Sequence, residues 1–245
     1  MKLNKTAIGA GAAVAALAVI MYLSDRPVET RDGVILPRTR TEYEKLNKES
    51  SDLVLEIFAR ADNGQELTDS DRQKLRDGAK KFEAMKAFEP RQVAALFGSG
   101  KCYLLLGEYQ LAADRLAQSW ENRMVDPMKD MEAVRLTAIE AAVLASEATL
   151  QLAAEEVSTM NTNSASGQGP EAEESRKRAL TLYRRAYTLA DDAIKLVPNA
   201  PRYLAARGQA SLAAGKKDDA KADLTKAIQL DPNSPKVKEL AKLLP

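Results

Sequence analysis

The sequence contains no histidine. That excludes Ser–His and Cys–His nucleophile pairs, imidazole general bases and every histidine-containing metal site. Cysteine is almost as scarce: Cys102 stands alone, so no internal disulfide can form. It lies among Lys101, Tyr103 and Leu104 on a predicted helix, where a small thiol acts as packing. Neither sign of charge is in excess, with 36 Lys and Arg against 35 Asp and Glu. Such balance leaves no basic excess to hold a nucleic-acid backbone. Local runs such as Lys216-Lys217-Asp218-Asp219 mix both signs and read as solvated turns. No glycine pattern of the phosphate-cradling or dinucleotide-binding kind occurs, and no carboxylates pair in a loop suited to acid–base work. The chain is read as a non-enzyme with no cofactor, no metal and no small-molecule substrate.

What the sequence has is periodic helix. Apolar residues make up 45% and charged residues 29% of 245 residues. That length suits one solenoid of several hairpins rather than two large globular domains. Residues 201–234 read PRYLAARGQASLAAGKKDDAKADLTKAIQLDPNS. Leu204 and Gly208 are four apart and share a helix face, where the missing side chain admits a second helix. Gly215 supplies a turn. Ala220, Leu224 and Ala227 form a small-large-small stripe on the returning helix, and Asp231-Pro232 stops it. Upstream, Leu96, Gly100, Tyr103, Gly107, Tyr109, Ala112 and Leu116 repeat the template, with Ser119 where alanine is usual and Pro127 closing late.

This pattern resembles the tetratricopeptide repeat (TPR) family. The fold it implies is an all-α solenoid of stacked hairpins. The last repeat departs from the family pattern at Arg207, where leucine is usual, and at Ser211, where an aromatic is common. Both departures predict a looser core. Between the two clear repeats, residues 132–157 form a long Ala- and Leu-rich helix. Residues 158–170 read as a flexible loop, and a second long helix follows from about Glu171. Tyr183, Ala186, Ala193, Leu196 and Pro198 match the repeat ending again. A degenerate first hairpin precedes them, ending in Phe88-Glu89-Pro90. The hairpins are placed at about 41–90, 91–127, 128–200 and 201–233. A capping helix at 234–244 completes the 41–245 array. Ser234 is its expected cap and Pro235 its first turn, with Val237, Leu240 and Leu244 facing the last repeat.

The start of the chain reads differently. Lys2 and Lys5 precede an uncharged run over residues 6–24. At about 1.5 Å per residue that run roughly crosses a hydrocarbon layer of about 30 Å. It is read as an uncleaved signal-anchor within residues 1–24, with Ala7, Gly9, Ala13, Leu17, Ile20 and Leu23 in the bilayer. The alternative is a cleaved signal peptide with its site at Ala16-Leu17-Ala18, but that site lies inside the apolar run. Gly9 and Ala13 form a small-xxx-small pair compatible with self-association, which nothing else in the sequence supports. The expected orientation puts the N-terminus in the cytoplasm and the array on the periplasmic side of a bacterial membrane. Residues 25–40, with Pro27, Gly33 and Pro37, read as an extended linker. Their Val34-Ile35-Leu36 run is open to a membrane surface, a partner or the first hairpin.

By family template, the first helix of each hairpin lines the binding face. That implies Ala94, Phe97, Lys101, Leu104 and Leu105 in one repeat, and Arg202, Ala205, Gln209, Leu212 and Ala213 in the last. Phe97 is the expected hot spot, with Lys101 pairing a ligand carboxylate. The family's carboxylate clamp for chaperone tails needs Lys and Asn at several of these places. Only Lys101 fits, while Phe97, Ala205 and Ala206 do not, so an apolar or amphipathic helix is the expected ligand. The resemblance implies a membrane-tethered scaffold or adaptor that binds other proteins, membrane-complex components among them. Two alternatives stand beside it: a structural subunit of a stable membrane complex, and a mitochondrial outer-membrane import receptor.

Overall fold

The computed structural model describes residues 33–244. The anchor residues Ala7, Gly9, Ala13, Leu17, Ile20 and Leu23 lie outside the described residues, as does the first half of the linker, residues 25–32. Residues 33–36 belong to a separate unit, and the helical array begins at Pro37.

The array is a run of helices joined by short turns: α1 (Arg40–Asp62), α2 (Asp69–Phe88), α3 (Val93–Leu106), α4 (Tyr109–Glu121), α5 (Glu132–Ala165), α6 (Gly169–Leu196), α7 (Pro201–Ala213), α8 (Lys217–Leu230) and α9 (Pro235–Leu243). No strand occurs among the described residues. The first two helices start on capping boxes. Thr39 accepts from the Glu42 N–H while Glu42 reaches back, and Thr68 and Asp71 do the same for α2. Gly107 and Gly215 take φ of 80° and 79° and turn each hairpin back on itself, a conformation that disfavours any side chain.

Each helix packs on its hairpin partner, and each second helix packs on the next first helix. Successive first helices (α1, α3, α5, α7) also touch one another. The second helices share no comparable contact, so the first helices form the tighter, inner layer. The core is built from small residues that permit close approach. Ala138, Ala141, Ala142, Ala145 and Ala148 of α5 are buried against α4 and α6. Ser146 donates to the Ala186 carbonyl at 2.8 Å across that interface. At Gly100 an added Cβ would lie 2.6 Å from Leu116 Cγ and 3.1 Å from its backbone nitrogen, so α3 and α4 meet backbone to side chain there. Cys102 is fully buried, and burial pushes its thiol up to about 12, which keeps it an unreactive packing group.

Four details differ from the sequence reading. Residues 158–165 are not loop but the last turns of α5, and only residues 166–168 connect it to α6. Their Ser and Thr content is satisfied helically: Thr159 and Thr162 donate to carbonyls four residues back. The facing α6 supplies tertiary support, with Arg178 pairing Glu156 at 3.0 Å. Second, Arg207 does not loosen the last repeat, because it is ion-paired across three helices. Third, Ser119 is buried and donates to the Val93 carbonyl at 3.0 Å, a tie that alanine could not make. Fourth, Ser234 occupies the N-cap position of α9 without a side-chain cap bond. The α9 helix is held instead by Val237 and Leu240, both buried in the C-terminal cluster.

α5 is the one described helix long and apolar enough to cross a membrane. With 61% of its apolar window buried among its neighbours, it serves as the spine of the array.

The carboxylates set the acid limit of this fold. The Asp71 carboxyl is held well below its usual range by the Arg60 guanidinium, then by the Thr68 N–H and hydroxyl. Burial pushes Glu83 and Asp191 up, but Arg115 for one, and Arg207 with Lys195 for the other, outweigh it and leave both lowered. A lowered folded pKa contributes stability above the unfolded value that is lost as pH falls through the folded value. With no histidine to titrate, the melting temperature is expected to stay nearly flat from about pH 5 to 8 and to fall below about pH 4. Thermal melts across that range measure it, and a step near pH 6.5 would contradict it.

Candidate protein-binding face

The inner layer brings some of the sequence-derived residues together and removes others from the surface. Leu104 of α3 and Gln209 of α7 face one space beside α5. They line one cavity of about 190 Å³ with Glu147, Leu150 and Gln151 of α5 and Lys236 and Glu239 of α9. Leu105 points elsewhere and packs on the first-hairpin cluster. Ala94 is exposed at the start of α3, and Leu212 and Ala213 end α7, half-buried and exposed.

Three placements correct the expected site. Lys101 is buried, with its Nζ 2.7 Å from Asp62 and 4.9 Å over the Phe58 ring. It closes the inner layer between α1 and α3, so it has no charge free for a ligand. Ala205 is fully buried in the C-terminal cluster, because α8 and α9 close over α7. Phe97 is half-buried against the central cluster that contains Val93 and Trp120, so its ring is largely engaged by the core.

Nor is the layer mostly apolar. Arg202 pairs with Glu140 at 2.6 Å and joins α7 to α5. Burial, then Glu140, pushes the neighbouring Tyr203 hydroxyl up to about 12. Lys236 pairs with Glu147 at 3.2 Å and ties α9 to the same helix. These cross-hairpin pairs, together with Lys101–Asp62, were not singled out from sequence. Their one signal was Glu140 and Glu147, seven residues apart and hence on one face of an otherwise Ala-rich helix. The Glu147 Oε1 is buried and accepts no hydrogen bond among the described residues.

Residues 69–127 match a tetratricopeptide repeat model, and residues 201–234 match another. These two segments are tetratricopeptide-like. The first match begins in α2, within the degenerate first hairpin, and runs through α3 and α4. The second covers α7 and α8. No curated protein sequence matches the chain. Among solved structures, a chain of the crystal structure of the APC/C hetero-tetramer Cut9–Hcn1 aligns at 15% identity with a TM-score of 0.25. The alignment covers 83% of this chain and 46% of that one, so this chain spans less than half of that chain's length. At that score the likeness carries no functional weight. TPR-like hairpins of this kind imply a scaffold for protein–protein interaction.

Proposed function

We propose that the chain is a membrane-tethered TPR-like scaffold whose first-helix layer receives a segment of a partner protein. In this reading residues 6–24 hold it in a bacterial membrane with the array on the periplasmic side. The observation that carries the binding role is the cavity shared by Leu104, Glu147, Gln151 and Gln209. Residues of α3, α5, α7 and α9 line it together. Lys236 holds Glu147 there at 3.2 Å, and the exposed Gln151 amide offers hydrogen bonds to a docked segment. The flanking Leu104 and Leu150 offer apolar contact beside that polar point, the combination that fixes an amphipathic helix in one direction.

A photocrosslinking residue at Gln151, which is exposed in this cavity, tests the reading in the full-length chain in carbonate-washed membranes. The chain is expected to remain with the membrane and to give one defined protein adduct on irradiation. The same probe at Arg185, exposed on the second-helix layer, is expected to give none. Equal adducts from both positions, or none from Gln151, would sink the binding role. Release of the chain by carbonate would sink the tether. Protease access in intact against permeabilised spheroplasts reports the side.

A further inference from the structure

A larger cavity lies away from the inner layer, where the second and third hairpins meet. It encloses about 770 Å³, inside the range of about 300–1,000 Å³ usual for ligand sites. Buried Trp120 and Ile139 give it an apolar base, and Met124 and Leu196 extend that surface outward at 67% and 55% exposure. Met131, on the same α4–α5 connection, is also exposed. Methionine adapts its shape to an apolar partner, and clustered exposed methionine is a recurring feature of protein-docking surfaces.

The connection that carries these side chains is pinned. The buried Asp126 carboxylate accepts from the Val93 N–H and the Met128 N–H, both at 2.6 Å. The cavity wall is therefore set before any ligand arrives, which lowers the ordering cost of binding.

Its charge is one-sided. Lys195 is neutralised by Asp191 and Asp192 at 3.0 Å each. Arg123 stacks 3.7 Å over the Trp120 ring and donates to the Trp120 carbonyl, but pairs with no carboxylate among the described residues. Lys129 and Arg135 also lack an ion pair among the described residues, and only Asp130 opposes the three. An apolar base beside a rim of net positive charge is complementary to an apolar side chain flanked by carboxylates.

We propose that this cavity docks an acidic amphipathic segment of a partner protein, seating one bulky apolar side chain on Trp120 and Ile139. The carboxylates of that segment meet Arg123, Lys129 and Arg135. Residues 25–40 of this chain do not fit the description, because their Arg26, Arg31, Arg38 and Arg40 outnumber Asp25, Glu29 and Asp32. The inference rests on the scaffold reading only in taking a protein as the ligand, and it uses a different surface.

Trp120 is the single tryptophan of the chain, so its emission reports the cavity directly. The full-length protein in nanodiscs of zwitterionic lipid is titrated with a synthetic helical peptide of Leu, Ala and Glu. A counterpart with every Glu replaced by Lys serves as comparison. The acidic peptide is expected to change Trp120 emission saturably and to bind at least about tenfold tighter than the basic one, with the gap shrinking in high salt. In the double variant Lys129→Glu/Arg135→Glu the preference should reverse. Both side chains are exposed, and an unchanged melting temperature confirms that the fold is kept. No saturable response to the acidic peptide, equal binding of both peptides, or a preference untouched by the double variant would each overturn the proposal. So would an emission change that follows protein concentration without peptide, since a second copy would then occupy the cavity. Crosslinking from Gln151 is independent of this result, so the failure of one reading leaves the other standing.

Discussion

Arg207→Leu is expected to destabilise the array by roughly 2–4 kcal/mol, although leucine is the family-typical residue there. Arg207 grips Asp223 with two donors, Nε to Oδ2 at 2.9 Å and Nη2 to Oδ1 at 2.6 Å. Its Nη1 reaches Asp191 at 2.7 Å, so one guanidinium joins α6, α7 and α8. Asp223 is only 4% exposed. Removing the arginine strands that carboxylate away from water, which costs more than the leucine gains by packing. The rescue separates this account from a simple loss of volume. Arg207→Leu/Asp223→Leu should recover most of the loss, because a buried pair replaced by apolar side chains is often close to neutral. Arg207→Lys should fall between, since an ammonium keeps the charge but not the two-pronged geometry. Urea denaturation of each variant at pH 7 measures the series. An Arg207→Leu protein as stable as its parent would show that the pair contributes nothing.

Leu240→Ala is expected to cost roughly 2–5 kcal/mol, the range for emptying a buried leucine site. The side chain is fully buried, and the short α9 has only Val237 and the Lys236–Glu147 pair as further ties. Its seat is Gly208: a Cβ built on that glycine would stand 2.5 Å from Leu240 Cδ2. Gly208→Ala alone should therefore push α9 outward and lower the melting temperature. Combined with Leu240→Ala, the same methyl refills part of the space. The double variant should then be more stable than the sum of the single losses by about 1 kcal/mol or more. Strict additivity would mean that α9 does not occupy the Gly208 slot.

The all-helical hairpin architecture was legible in the sequence because its determinants are local. Gly107 and Gly215 mark turns that only their own backbone torsions require, and Pro198 and Pro232 stop helices at their own positions. The small-residue spacing at Gly100, Ala112, Gly208 and Ala220 survives as a readable pattern because close helix approach excludes side chains at fixed intervals. Residues 158–165 were misread for the complementary reason. Their Ser, Thr and Asn content favours loop in isolation, and the packing of α6 against α5 overrode that preference.

The candidate site was less legible. A template assigns residues to a face, but it cannot say whether another helix has already covered that face. Leu104 and Gln209 were placed on the inner layer from sequence and do share a cavity. Ala205 was placed there too, yet α8 and α9 close over it. Lys101 was given to a ligand, but Asp62 lies on α1, a helix outside the repeat from which Lys101 was read. The cationic cavity around Trp120 draws on the ends of α4, α5 and α6 and on the connection between two hairpins. No periodic pattern joins those positions.

The sequence by itself determined the repeat unit, the positions of most turns and the lack of histidine and of any internal disulfide in these 245 residues. Each follows from residue identity or from spacing within one hairpin. Only the tertiary structure decided which charges are already paired, which inner-layer residues remain open, and where the apolar surface is left uncovered. Those outcomes depend on distances between segments far apart in the chain, and burial and ion pairing are properties of such distances rather than of any residue alone.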